Sequence, residues 1–456
     1  MAIRSGILKM HPATLVLASF ILVILTGMML LMLPIATTSG AIRWIDALFT
    51  ATSAVCVTGL TVVDTGNYFS TFGQCVILVL IQIGGLGLMT ISVALFRWVG
   101  RSISIRQRMA MQDLFAHTPR GDILGLVKSI FLFMFIAEAI GAVLLTIHWT
   151  GELGFSQALY AGVFHSISAF CNAGFSLYSS SLMNYSDSIL LTGTISGLIV
   201  IGGLGFPVLY DLQCWMRLRK KMRCRLSVQT RTVLLTTVIL IFGGAIVFAL
   251  LERHSLANAP SIMHRIMVPL FQSITCRTAG FNTVDISALR EATLAMMMFL
   301  MFFGASPGSC GGGVKTTTLA LLTAFTISRI RKRRRVNLYR KTIPVETVTR
   351  SLSLILVAIG ILCVVLFLLL AGDPVTGQES AREGHTFLAY LFEAVSAFGT
   401  VGLSMGITPD LNTLGKYWII LLMLVGRVGV LTFSYIVVGT GTAEGVEHAE
   451  ENIMIG

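Results

Sequence analysis

Four short stretches of this chain repeat one frame. Phe49–Leu60 reads FTATSAVCVTGL, Phe164–Phe175 reads FHSISAFCNAGF and Phe392–Leu403 reads FEAVSAFGTVGL. Each begins with Phe, places Ser four residues on with Ala after it, and reaches Gly-Leu or Gly-Phe six residues past the serine. Phe271–Phe281, FQSITCRTAGF, keeps the frame with Thr275 for the serine, Cys276 for the alanine and one residue fewer. The glycines Gly59, Gly174, Gly280 and Gly402 lie 115, 106 and 122 residues apart. A frame recurring at that spacing is an internal repeat, so the chain reads as four copies of one supersecondary unit.

What flanks each stretch decides the environment. Apolar segments of membrane length fall near 13–35, 72–96, 123–147, 187–213, 229–251, 292–328, 348–371 and 415–438,. Residues are 55% hydrophobic and 12% charged, against about 25% charged in soluble domains. This predicts an all-α integral membrane protein of eight transmembrane helices. The four repeated stretches, too short to cross, become re-entrant pore helices. The repeats are expected over 1–96, 97–213, 214–328 and 329–456. The run from Ala13 to Leu33 is too long for a signal peptide and lacks its small-residue cleavage site, so a membrane anchor is expected,. Eight cysteines include no CxxC pair, and neither disulfide nor metal roles are expected,.

The net charge of +12 needs no nucleic acid to explain it. Lys and Arg concentrate in the N-terminus to residue 12 and in 97–122, 214–231 and 329–350, which together hold 23 of the 33. With eight spans all four regions share one side, predicted to be cytoplasmic, with both termini. The pore stretches then enter from outside. RKRRR at 331–335 reads first as part of this signal, and alternatively as a site for anionic lipid or a cytosolic subunit,.

A cation crossing a membrane exchanges water for other oxygens, and a ring of backbone carbonyls supplies them. Turning successive carbonyls inward needs backbone angles that glycine adopts without steric cost. The candidate lining is Val57-Thr58-Gly59, Asn172-Ala173-Gly174, Thr278-Ala279-Gly280 and Thr400-Val401-Gly402. Each pore helix would aim its partly negative C-terminus at the ion. The glycines of GGLG at 84–87 and 202–205, of GRVG at 426–429 and Gly304 follow their loops by 24 to 28 residues. For the GGLG pairs tight helix packing is the simpler role.

The four Gly-Leu or Gly-Phe loops, with GGGVK at 311–315 and GRVGVLTF at 426–433, resemble the Ktr/Trk/HKT superfamily of potassium transporters over nearly the whole chain. Eight spans without an extra N-terminal hairpin are closer to the Ktr-type membrane subunit than to Trk. The resemblance implies a pseudo-fourfold pore in each protomer of a homodimer, in the inner membrane of a bacterium. It implies a cytosolic ring of nucleotide-binding regulatory subunits that carries ATP or ADP, with no cofactor on this chain. Potassium is the cargo it implies, because Gly59 stands where a serine accompanies sodium transport in the plant-type branch. Sodium conduction or coupling on the same build is the alternative, and a secondary transporter of a small solute or a membrane scaffold the rivals. No enzyme constellation is present.

The stretch Phe302–Thr318, FFGASPGSCGGGVKTTT, invites a phosphate-loop reading and fails it. Val314 separates Gly313 from Lys315, and the stretch lies inside an apolar segment instead of following a strand,. A break in a 37-residue segment fits better. Free backbone groups are tolerated at membrane depth only beside protein or water. Gly304, Ala305, Ser306, Pro307, Gly308, Ser309, Cys310, Gly311, Gly312 and Gly313 are therefore expected to form a gate loop facing the pore, with Lys315 anchoring the half-helix below. Pro307 and Cys310 depart from the small residues usual in the Ktr branch. Arg427 occupies the place of Gly85 and Gly203; it is expected near the pore, touching the gate loop and shortening ion dwell time. His165 and Glu393 would orient their pore helices or face a wet outer cavity. Asp64 and Asp285 would draw cations to the entrance or cap turns. Arg277 is expected to brace its loop through carbonyls, and Glu138 to be structural.

Overall fold

The computed structural model describes residues 12–87, 123–218, 226–257, 259, 261–333, 335–339, 341–372, 386–430 and 433. The N-terminal end, the basic loop 97–122 and residues 434–456 lie outside them, so the expected side of the termini finds no structural reading here.

The described chain is almost wholly helical. In the first quarter come α1 (Pro12–Leu31), α2 (Trp44–Val55) and α3 (Thr71–Leu86). The second holds α4 (Ile123–Leu153), α5 (Phe155–Phe170), α6 (Ile189–Leu204) and α7 (Phe206–Leu218). In the third are α8 (Val228–Leu251), α9 (Ile262–Thr275), α10 (Glu291–Phe302) and α11 (Thr316–Ile330). A small antiparallel hairpin, β1 (Val336–Leu338) with β2 (Lys341–Ile343), leads to α12 (Val345–Ala371), α13 (Phe387–Gly399) and α14 (Thr413–Val428).

Among the described residues three helices are each long and apolar enough to cross a membrane alone: α8, α12 and, within α4, Ser129–Leu153. They carry large apolar side chains on their exposed faces, such as Leu132, Ile140, Val238, Leu356 and Phe367. In water such a surface would drive association; in lipid it is the solvated face. The short helices α2, α5, α9 and α13 are buried toward their C-terminal ends and lie inward. Side-chain caps start many of the helices, among them Ser261 accepting from the His264 N–H (3.0 Å) and Asn412 from the Gly415 N–H (2.6 Å),.

The segment 187–213, expected as a span, is not one straight helix: α6 and α7 meet at a 96° bend. Gly205, at φ 89°, makes the turn. The same stop recurs where α3 ends before Gly87 (φ 76°) and α14 before Gly429 (φ 97°). The break in 292–328 is the wide form of this stop, with 13 residues between α10 and α11. The earlier glycines of these motifs serve close packing. A methyl on Gly84 would strike the Val55 carbonyl oxygen, one on Gly202 that of Phe170, and one on Gly426 that of Phe398. Each helix thus crosses hard against the end of the short inner helix of its own quarter.

The first and last quarters are tied by a buried ion pair. Lys416, in the first turn of α14, donates to Asp46 of α2 at 2.9 Å, and Arg43 donates to the other carboxylate oxygen at 2.7 Å. The pair joins residues 370 apart in sequence and closes the circle of helices.

Candidate functional site

The four glycine stretches come together in space. A methyl added to Gly174 would lie 2.8 Å from the Ala279 carbonyl oxygen, and one on Gly280 2.5 Å from that of Val401. One on Gly402 would collide with the Thr58 carbonyl, and one on Gly59 with that of Ala173. Gly59 thus meets the Gly174 stretch, Gly174 the Gly280 stretch, Gly280 the Gly402 stretch, and Gly402 returns to Gly59. The contacts close a ring of four backbones with no room for a Cβ.

Their conformation is shared as well. The glycines have φ of 91°, 70°, 80° and 93°. Two residues earlier Val57, Asn172, Thr278 and Thr400 are also left-handed, at 56°, 59°, 72° and 50°. Three of these four are β-branched, for which positive φ is a true outlier. Such strain costs of order 1–3 kcal/mol per residue and persists only where the surroundings enforce it. A left-handed residue on each side of the intervening Thr58, Ala173, Ala279 or Val401 brings neighbouring carbonyls of a stretch toward one side. No letter in Val, Asn, Thr, Thr announces this; in the sequence only the glycines point to it.

What enforces the strain is the residue four places after the repeated Phe. Ser53 accepts from the Gly59 N–H and Ser396 from the Gly402 N–H, both at 3.1 Å. Ser168 donates to the Phe175 carbonyl (2.8 Å) and Thr275 to that of Phe281 (2.6 Å). Backbone bonds from Thr58 to Ser53, Ala173 to Ser168 and Val401 to Ser396 span five residues. In the stretch that is one residue short, Ala279 bonds Thr275 across four. A second brace joins each of three pore helices to the chain leaving it. Ser176 donates to His165 (3.1 Å), Gln272 to Thr283 (3.2 Å) and Ser404 to Glu393 (2.8 Å), each 11 residues apart. Thr408 also bonds Glu393. His165 and Glu393 are therefore buried tethers, and Gln272, one residue after its own Phe, is their counterpart.

Above the ring lies a cavity of ≈ 340 Å³ floored by Gly59, Gly174, Gly280 and Gly402. Asp64 lines its wall while capping the turn that follows, accepting from the Gly66 N–H at 2.9 Å and bonding Ser179. Asp285 is not in that wall; it accepts from the N–H and hydroxyl of Ser287 and serves as a turn cap. Arg277 also departs from expectation. Its guanidinium turns away from the loop carbonyls and donates to the Thr237 hydroxyl of α8 at 3.2 Å. Glu138 is buried in α4 and accepts from Gln82 at 3.0 and 3.1 Å.

Below the ring runs the segment between α10 and α11. Several of its hydrogen bonds come from other quarters of the chain. The Phe206 N–H donates to the Gly308 carbonyl (2.9 Å), the Cys310 N–H to that of Gly202 (3.4 Å) and the Gly313 N–H to that of Gly426 (3.2 Å). The Thr400 hydroxyl accepts from the Gly312 N–H at 2.8 Å, so the loop hangs from a residue of the glycine ring itself. Gly311 packs against Thr278, another ring residue, whose hydroxyl donates at 3.3 Å to Asn172 when that amide turns its nitrogen to the Ala169 and Ile199 carbonyls. Gly304, Ala305 and Ser306 are buried, Thr316 bonding back to Ala305 (2.8 Å) and Ser306 (3.2 Å), while Ser309 closes onto the Ser306 carbonyl (2.7 Å).

Two cations grip the carbonyls. Lys315 donates to Gly311 (2.8 Å) and Gly312 (3.3 Å). Arg427 bonds the Cys310 carbonyl with one nitrogen and the Gly84 carbonyl with another, reaching the first quarter of the chain. The two unusual letters find their places. Pro307 sits at the tip, where its carbonyl fills the space a side chain on Gly205 would need; Cys310 is buried between Gly202 and Arg427.

The chain matches the family model TrkH, a cation transport protein, over residues 7–439. It is 40% identical to Ktr system potassium uptake protein B of Vibrio alginolyticus, covering 92% of this chain and 90% of that protein. The protein of the same name from Bacillus subtilis is 38% identical, with 94% and 93% covered. Potassium/sodium uptake protein NtpJ of Enterococcus hirae is also 38% identical, with 98% of both covered. The fold is similar to the crystal structure of the potassium transporter TrkH from Vibrio parahaemolyticus, with a TM-score of 0.70 at 20% identity over 92% of this chain and 85% of that one. Matched from end to end in this way, the chain belongs to the TrkH/Ktr family of cation transport proteins.

Proposed function

We propose that this chain is the pore subunit of a bacterial potassium uptake system, with eight spans, four re-entrant pore helices and cytoplasmic termini. Potassium enters from the outer cavity and exchanges its water for carbonyls of residues 57–59, 172–174, 278–280 and 400–402. Gly304–Gly313 with Lys315 blocks the inner exit. The observation that carries this reading is the closed ring of left-handed backbones, because only a backbone filter explains four strained stretches meeting where no side chain fits.

Each part has a physical task. Strain held by Ser53, Ser168, Thr275 and Ser396 pre-orients carbonyl dipoles, so no reorganisation is needed as the ion sheds water. The C-terminal ends of α2, α5, α9 and α13 add partial negative charge beneath it. Arg427 and Lys315 occupy carbonyls that an ion leaving the filter would meet and repel that ion. Opening then requires both cations and the Thr400 hydroxyl to release the loop. The "Ktr system" names of the Vibrio and Bacillus relatives support a multi-component assembly. We assign to it a homodimer of this chain on a cytosolic nucleotide-binding ring that senses ATP or ADP.

The test is rubidium uptake by the purified chain in liposomes, with sodium and lithium as competitors. Uptake that rubidium and potassium saturate and sodium leaves unaffected supports the reading; equal competition by sodium overturns potassium selectivity. The name of the Enterococcus relative, potassium/sodium uptake protein, supports sodium passage as the second reading. Gly59→Ser separates the two, since it should admit sodium only if Gly59 sets selectivity.

A further inference from the structure

Helix α11 ends on the side away from the ring in a turn that is rigid in its backbone and unsatisfied in its charge. The Lys332 N–H donates to the Arg329 carbonyl at 2.9 Å and the Arg333 N–H to that of Ser328 at 2.8 Å. This paired closure ordinarily takes glycine at its left-handed position. Here that position is Lys332, at φ 55°. Buried Ser328 pins the next residues, donating to the carbonyls of Arg335 (2.9 Å) and Arg333 (3.4 Å). The side chains of Arg331, Lys332, Arg333 and Arg335 are nevertheless all exposed.

Two features distinguish this turn from an ordinary charged helix end. Among the described residues none of these four makes an ion pair. A helix C-terminus carries only about half a negative charge, too little to account for four cations. Large aliphatic residues also flank the turn: Ile327 is 51% exposed and Ile330 75%, with Val345 66% exposed at the start of α12. A partner made only of acidic groups would leave these uncovered. A molecule with a negative head and a hydrocarbon tail satisfies both.

The geometry points to a binding site for an anionic phospholipid headgroup at Arg331, Lys332, Arg333 and Arg335, its acyl chains lying along Ile327 and Ile330. The site rests on the membrane reading of the chain and not on ion selectivity.

The test uses the full-length purified chain in nanodiscs of phosphatidylcholine with a rising share of phosphatidylglycerol, counting retained lipid by native mass spectrometry. The wild type should retain phosphatidylglycerol over phosphatidylcholine. Each basic residue at a membrane surface is worth about 1 kcal/mol, so R331Q/R333Q/R335Q should bind roughly a hundredfold more weakly. Lys332→Gly keeps the turn, since glycine favours its backbone angles, and should weaken binding about fivefold. It serves if the triple variant fails to fold. Unchanged phosphatidylglycerol retention in either folded variant overturns the site and leaves the basic run as a topology signal. So does equal retention of both lipids by the wild type, or competition by millimolar inorganic phosphate as effective as the lipid. Absence of rubidium flux in the wild type, with phosphatidylglycerol still retained, would count against the proposed function only.

Discussion

The glycine ring and the loop beneath it are both irregular backbone inside a helical protein, yet they are held by opposite means. Each ring stretch is fastened by its own pore helix, through Ser53, Ser168, Thr275 or Ser396 a few residues before it. The lower loop takes many of its bonds from distant elements: Gly202, Phe206, Thr400, Gly426 and Arg427. Local bonds form with the fold and stay. Borrowed bonds break when neighbouring helices shift. On the proposed function, the difference teaches that a filter and a gate can use the same glycine-rich chemistry, separated by where their hydrogen bonds originate.

The largest expected effect tests the ring half of that contrast. Gly59→Ala places a methyl against the Ala173 carbonyl, in a backbone region that alanine resists,. Gly402→Ala does the same against Thr58. Both should abolish saturable rubidium uptake while detergent-solubilised protein remains monodisperse. Full uptake by either would show that the stretches have slack.

Next is the frame that holds the ring closed. Asp46→Asn leaves Lys416 buried beside a neutral group, and breaking a buried pair costs about 3–5 kcal/mol,. Its thermal unfolding midpoint should fall well below that of the wild type, and an unchanged midpoint would remove the pair from the account of ring closure.

The gate half follows. Arg427→Ala removes two charge-assisted bonds, each worth about 1.5–3 kcal/mol. Flux without any cytosolic partner should rise at least tenfold; the same rate, affinity and gating as wild type would contradict the role of Arg427. The smallest effect is Thr400→Val, which removes the single hydroxyl linking ring to loop. One neutral hydrogen bond is worth about 1 kcal/mol, so basal flux should rise about fivefold with selectivity retained,. If selectivity changes and flux does not, Thr400 belongs to the ring alone.

Much of this was legible in the sequence, for identifiable reasons. The Phe–Ser–Ala–Gly frame marks where the pore helices end, because that geometry needs the same residues four times. Apolar length marked α4, α8 and α12. Other features depend on contacts between distant residues. The bend at Gly205 could be read as a glycine but not as a 96° turn, since its angle is fixed by the loop tip packed against it. Positive φ at Val57, Thr278 and Thr400 runs against the preference of those residues and appears only when four loops crowd together. Arg277 stands beside loop carbonyls in sequence, whereas a hydroxyl on α8, forty residues away in sequence, claims it.

The most direct measurement compares rubidium uptake by the wild type and Gly59→Ser in liposomes, with sodium as competitor. If the four stretches form the selectivity filter, wild-type uptake resists sodium, while in the serine variant, whose Cβ meets the same Ala173 carbonyl, saturable rubidium uptake collapses and the residual flux no longer resists sodium. Identical sodium competition in the two proteins would contradict the assignment of the glycine ring as the filter.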